Sequence, residues 1–273
     1  MDRTIETDRT AELDDTPPGP DTAIVTGAAG GIGAEVARVL AGRGIAVAAV
    51  DNHAERLAES VEKMIADGLP VTAFPADVTS APAADGVVER VERELGPVRY
   101  LVNAAGVLRL GEVGTYRADD WHTTFAVNAT GVFLMSQAAV RRMTPRRRGA
   151  IVTVASNAAG TPRTEMAAYA ASKAAATMFT KSLGLEVARH NIRCNIVAPG
   201  STDTPMLRSM WTDESGPKAT IGGRPDAFRV GIPLGRLASP ADVAAAVDFL
   251  LSDRAAHISL HELTVDGGAG LGV

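Results

Sequence analysis

From Asp21 onward the chain repeats one unit: a short apolar run, a turn, and an amphipathic stretch with helical spacing. Apolar runs fall at residues 23–25, 45–50, 71–75, 100–102, 150–155, 192–198 and 262–265. They are continuous and do not alternate with polar residues, the pattern of strands covered on both faces. Helical stretches occupy residues 31–41, 54–66, 81–95, 119–143, 165–189 and 240–251. Strands joined through helices cannot be hairpins and must cross over, so the unit predicts a parallel sheet. The expected fold is α/β: a single-domain, doubly wound Rossmann fold with a seven-stranded parallel sheet and helices on both faces. Residues 200–235 lack this rhythm and read as a long binding loop or lid.

Residues 1–20 stand apart. They hold six acidic and two basic side chains and end in Pro17-Pro18-Gly19-Pro20. They predict a flexible acidic tail ahead of one domain over residues 21–273. The tail accounts for most of the net charge of −5, which leaves the remainder almost neutral and without the basic face that a phosphate backbone demands. The one basic run, Arg141 to Arg148, falls where a helix should end and complements its dipole. Aromatic content of 4% is too low for a base-stacking surface. A single cysteine, Cys194, excludes an intrachain disulfide framework, and a cytoplasmic location is expected. The pair His257 and His261 lies in an extended stretch, where a spacing of four brings no metal geometry, and no metal is expected.

The chemistry-bearing residues sit at strand ends. Thr26-Gly27-Ala28-Ala29-Gly30-Gly31-Ile32-Gly33 joins the first strand to the first helix. Glycines there let the backbone approach a pyrophosphate, and the helix start offers free N–H groups. Asp51 closes the second strand, where a carboxylate accepts hydrogen bonds from ribose hydroxyls and repels a 2′-phosphate, so NAD is expected over NADP. His53 and Arg56 are the only nearby hint of phosphate tolerance, and Asp77 has a similar place beside the adenine. Tyr169 and Lys173 are four apart on one helical face, where an ammonium would lower the phenol pKa and make it an acid or base. Ser156 follows the fifth strand and can bond the substrate oxygen, while Asn128 would order a water behind Lys173.

Together, Thr26-Gly-x-x-x-Gly-x-Gly33, Asn103-Ala-Ala-Gly106, Asn128, Ser156 with Tyr169-x-x-x-Lys173, and Pro199-Gly200-x-x-x-Thr204 resemble the short-chain dehydrogenase/reductase family. The resemblance implies catalytic roles for Asn128, Ser156, Tyr169 and Lys173. It implies a cofactor site made of Gly27, Gly31, Ile32, Gly33, Asp51, Asp77, Val78, Asn103, Ala104, Gly106, Tyr169, Lys173, Pro199, Gly200, Thr202 and Thr204. Ala104 stands where the family usually has asparagine, a mild departure. Further likeness in residues 101–111, 150–163, 199–204 and 257–268 is to members that use NAD to aromatise a carboxylated cyclohexadiene diol. For such a small-molecule substrate, Arg109 or Arg163 would hold the carboxylate, Ser156 and Tyr169 would meet the reacting oxygen, and Met206 with Leu207 would cover the ring.

Three other readings stay open. An amine could replace the 2-hydroxyl of the substrate, the chain could be a general carbonyl or 3-oxoacyl reductase using NADPH, or it could be a catalytically silent NAD-binding regulator. The resemblance also implies a homotetramer, with neither nucleic acid nor membrane as partner. The alanine stripe Ala167, Ala170, Ala171, Ala174 and Ala175 would allow close helix approach.

Overall fold

A computed structural model describes residues 21–211 and 213–272; the expected tail, residues 1–20, lies outside them. Seven strands form one parallel sheet: β1 (Thr22–Thr26), β2 (Ala46–Asp51), β3 (Val71–Pro75), β4 (Val98–Asn103), β5 (Gly149–Val154), β6 (Ile192–Pro199) and, last in the chain, β9 (Glu262–Val265). Their order is β3-β2-β1-β4-β5-β6-β9, so the direction of winding reverses between β1 and β4. That reversal opens a crevice at the carboxyl ends of the strands, where the loops leave in opposite directions.

Side chains of one strand point alternately to the two faces. Ala23 and Val25 meet the layer of α1 (Gly31–Gly42), α2 (Ala54–Ala66) and α9 (Pro240–Leu251), while Ile24 meets α3 (Ala81–Glu94), α5 (Gly131–Arg146) and α6 (Ala167–Val187). Helix starts follow the sequence. Ser80 accepts the Ala83 N–H at α3, and Ser239 with Asp242 forms a reciprocal capping box behind Pro240 at α9. The basic run is used within the fold: Arg141, Arg146 and Arg148 pair with Asp85, Glu92 and Asp21.

Two expected elements differ. The long helix over 119–143 is instead α4 (Ala118–Phe125), a π-helical turn at Ala126–Thr130, and α5. The wider turn carries Asn128, whose amide is engaged by the backbone of Val107 across the cleft floor. The segment 200–235 is not a plain loop. It contains α7 (Pro205–Arg208), α8 (Gly216–Gly222) and a hairpin of β7 (Gly223–Arg224) with β8 (Arg229–Val230). Cys194 is fully buried in β6, and burial pushes its thiol up to about 12.

Among the described residues no helix is long and apolar enough to cross a membrane. The alanine stripe of α6 faces away from the sheet, with Ala167, Ala171 and Ala175 exposed.

The first helix approaches the glycine turn too closely for a side chain. A Cβ on Gly33 would lie 2.2 Å from the Gly27 carbonyl oxygen and 2.6 Å from its carbon. Gly33→Ala should therefore destabilise the fold by about 1–3 kcal/mol. Thermal unfolding should show a midpoint several degrees lower, and an unchanged midpoint would mean that the turn yields freely.

Candidate active site

The glycine turn is built against the start of the next crevice loop. Gly27 has φ +72°, and a Cβ on it would lie 2.8 Å from the Ala104 oxygen and the Ala105 nitrogen. Only glycine fits both the left-handed backbone and that approach. Thr26 Oγ1 accepts the N–H groups of Ala104 (3.0 Å) and Ala105 (3.1 Å), so β1 holds the 103–106 segment directly. Sequence reasoning used Thr26 only as part of a motif; this clamp was its unread role. At the helix start, Gly30 gives α1 no side-chain cap, which leaves its first N–H groups for an anion.

Asp51 is oriented from two sides. One carboxylate oxygen accepts the Ala29 N–H at 3.1 Å and the other the His53 N–H at 3.0 Å. Its side chain does not cap α2, which starts after His53 without a side-chain cap. Asp77 accepts the Thr79 N–H and hydroxyl through one oxygen, and Val78 packs against Gly131. Asn103 is turned into the fold, where its amide donates to Ser136 Oγ at 3.0 Å, so only its backbone is left to the crevice.

A cleft of about 430 Å³ lies beyond the strand ends, lined by Ile32, Ala104, Gly106, Ser156, Arg163, Tyr169, Lys173, Pro199, Gly200, Thr202, Thr204, Met206 and Leu207 among others. One wall is the 200–235 segment. Thr204 caps α7 by accepting the Leu207 N–H. Arg109 does not reach the cleft. Its guanidinium is exposed and lies 3.7 Å from Asp120, so the carboxylate role considered for it has no geometric basis.

The cluster at the floor is tightly bonded. The buried face of α6 carries Tyr169, Ser172, Lys173, Ala176 and Thr180 at helical spacing, which brings Tyr169 and Lys173 together as their separation of four requires. Lys173 Nζ donates to the Val154 carbonyl at 2.9 Å. Asn128 accepts the Val107 N–H at 2.8 Å and donates to the Val107 carbonyl at 2.9 Å and to Ser172 Oγ at 3.0 Å. Asn128 Oδ1 and Lys173 Nζ converge under Gly106, each 3.4 Å from where a Cβ would stand. Ser156 Oγ accepts the Ala158 N–H at 3.1 Å and acts on the Tyr169 phenol across the cleft floor.

Asp266 was missed by sequence reasoning. It accepts Asn157 Nδ2 at 3.0 Å and the N–H groups of Gly268 and Gly270, and it packs against Gly200. The signal was present in Val265-Asp266-Gly267-Gly268, a carboxylate beside two glycines at a strand end.

A family model described as short chain dehydrogenase matches residues 21–215. The chain belongs to the short chain dehydrogenase family. It is an oxidoreductase acting on a CH–OH group and uses a nicotinamide cofactor. A 2,3-dihydro-2,3-dihydroxybenzoate dehydrogenase of Bacillus subtilis (strain 168) is 55% identical to this chain over 92% of it and 96% of the relative. A protein of the same name from Escherichia coli (strain K12) is 41% identical over 91% of this chain and 96% of its own. Among solved structures, gox2181 superposes with a TM-score of 0.86 at 30% identity, covering 92% of this chain and 96% of that one. A single-substitution variant of actinorhodin polyketide ketoreductase with NADPH does so at 0.85 and 33%, covering 92% and 97%. The dehydrogenase fold fits a dinucleotide on its own evidence: a glycine turn that no side chain could enter, an uncapped helix start, and the Asp51 carboxylate beside them.

Electrostatics at the floor correct one expectation. The phenol of Tyr169 is pushed up by burial, more than the Ser156 hydroxyl and the Arg163 charge pull it down. Lys173 does not supply the expected lowering here. Its ammonium is engaged by Val154 and stands 5.9 Å from the centre of the phenol ring. Met166, Ala158 and Leu108 enclose that ring, which makes the phenolate hard to solvate.

Burial pushes Lys173 down from 10.5 to about 8. Between those values the unfolded chain binds more protons at this group than the folded one does, so stability rises with pH. The wild type should therefore gain stability on going from about pH 8 toward pH 10 relative to Lys173→Met. Parallel pH dependences in denaturant unfolding would show that the ammonium is not buried at a penalty.

Proposed function

We propose that this chain uses NAD to oxidise the 3-hydroxyl of a 2,3-dihydro-2,3-dihydroxybenzoate-like cyclohexadiene carboxylate to the aromatic 2,3-dihydroxybenzoate, as in siderophore or secondary-metabolite biosynthesis. The observation that carries the reading is the meeting of Ser156, Tyr169 and the cation Arg163 in one cleft, in a chain 55% identical to a dehydrogenase of that name. Residues 21–273 would form the whole catalytic domain.

A nicotinamide cofactor, when bound, supplies the acceptor for the hydride that leaves C3. Gly27, Gly31, Ile32, Gly33, Val78, Asn103, Ala104, Gly106, Pro199, Gly200, Thr202 and Thr204 would form its bed, with Asp51 at the ribose and Asp77 at the adenine. Ser156 orients the C3 hydroxyl, since its Oγ accepts from Ala158 and its proton remains to donate. Tyr169 takes the hydroxyl proton as the C3–O double bond forms, after its own proton has left toward Lys173 and Asn128. Lys173 and Asn128, fixed beneath Gly106, hold the proton path and the ribose side of the site. Arg163 receives the substrate carboxylate, and Met206 bounds the ring. The ring then tautomerises to the aromatic acid, which draws the oxidation forward. The exposed alanines of α6, with Phe133 and Met178 also exposed, suit a homotetramer.

Purified protein given NAD and the dihydroxy acid should yield reduced cofactor and 2,3-dihydroxybenzoate in equal amounts, and Tyr169→Phe should lower kcat by ~100-fold or more. Turnover only of the 2-amino analogue, or of acyl ketones, would replace the substrate assignment. Cofactor choice has a separate test. Asp51→Ser should remove the anion that repels a 2′-phosphate and shift the NAD-to-NADP ratio of kcat/KM by ~10-fold or more toward NADP. An unaltered ratio would move the discriminating role elsewhere, with Arg56 close to the glycine turn as the next group to examine.

A further inference from the structure

Three arginines, Arg163, Arg224 and Arg229, line the cleft, and Arg163 and Arg229 do so from different walls. Arg163 belongs to the loop that precedes α6, and Arg229 opens β8 in the hairpin of the 200–235 segment. Around them the arginines have carboxylate partners: Arg109 has Asp120, Arg208 has Asp203 and Arg236 has Asp242. Among the described residues neither Arg163 nor Arg229 has one, and the buried Nε of Arg229 has no hydrogen-bond partner.

A buried, unpaired donor on a cation is costly unless a ligand completes it. The two groups also feel each other. Burial, and then the charge of Arg229, push the Arg163 guanidinium down, while Asp266 and Tyr169 act in the opposite sense. Two like charges facing one cavity call for an anion between them, and the planar fork of arginine matches a carboxylate in two bonds. Arg163 stands close enough to Tyr169 to influence its phenol, so an anion held there places the rest of a small ring over the reacting groups.

We propose that Arg229 and Arg163 clamp the substrate carboxylate between the two walls, so that the anion draws the Gly223–Val230 hairpin onto the cleft and selects acids over uncharged diols. The assignment of Arg229 rests on the carboxylated cyclohexadiene reading above, but its anion preference can be measured without turnover. Trp211 supplies a reporter, since it lines the cleft beside α8, where its indole N–H donates to Thr220 Oγ1 at 3.2 Å.

The test uses the full chain in two arms. In the first, calorimetry compares 2,3-dihydroxybenzoate with catechol, and fluorescence in a Trp121→Phe background follows Trp211. The acid should bind more tightly and alter the emission, and Arg229→Gln should reduce its preference over catechol by ~10-fold or more. Arg229→Lys, which keeps the charge without the fork, should recover part of that preference. In the second arm, kcat/KM for the dihydroxy acid is compared with that for 5,6-dihydroxycyclohexa-1,3-diene, and Arg229→Gln should lower the ratio by a similar factor. Equal binding of acid and catechol by the wild type, or equal losses for both in Arg229→Gln, would overturn the clamp. Carboxylate preference that depends on Arg229, with neither diene oxidised, would sustain the clamp and remove the proposed substrate.

Discussion

The burial of the Lys173 ammonium is the constraint around which the active site is arranged. A cation enclosed at the base of a cleft needs fixed dipoles in place of water, and the Val154 carbonyl at the end of β5 supplies one. This contact ties α6 to the central sheet at the position where Tyr169, one helical turn earlier, must stand. Gly106 lies over the same pair, where a Cβ would come within 3.4 Å of both Lys173 Nζ and Asn128 Oδ1. Asn128 in turn engages both polar groups of the Val107 backbone, which fixes the loop that covers the pair.

The fold and most of the site were legible before any coordinates, for a physical reason. A parallel sheet covered on both faces leaves continuous apolar runs, and all seven runs correspond to strands of the one sheet. Tyr169 and Lys173 could be placed together because helical spacing is a local rule. The break at Ala126–Thr130 could not be read in the same way, since the glycine that follows it, Gly131, sits inside a continuous helical pattern. It reflects the contact of Asn128 with Val107, a partner 21 residues away that periodicity does not register.

Electrostatics showed the same division. Proximity to an ammonium suggested a lowered phenol, whereas enclosure of the ring by Met166, Ala158 and Leu108 reverses the net direction. Desolvation is a property of the surrounding shell, and a sequence does not state which side chains will form it. Arg229 illustrates the point differently. It belongs to a stretch rich in glycine and proline that offered no period, and only the paired strands Gly223–Arg224 and Arg229–Val230 bring it to the cavity that Arg163 lines from another loop.

The solitary thiol of β6 has a practical implication. With its ionisation pushed up to about 12, Cys194 offers almost no nucleophilic form near neutrality, and no part of it reaches solvent. A cysteine engineered at the exposed Phe228 position would consequently be the sole attachment point for a maleimide dye, without deletion of the native sulfur. The hairpin can thus carry a fluorophore whose distance to a second dye, placed through another engineered thiol, reports its position in single molecules.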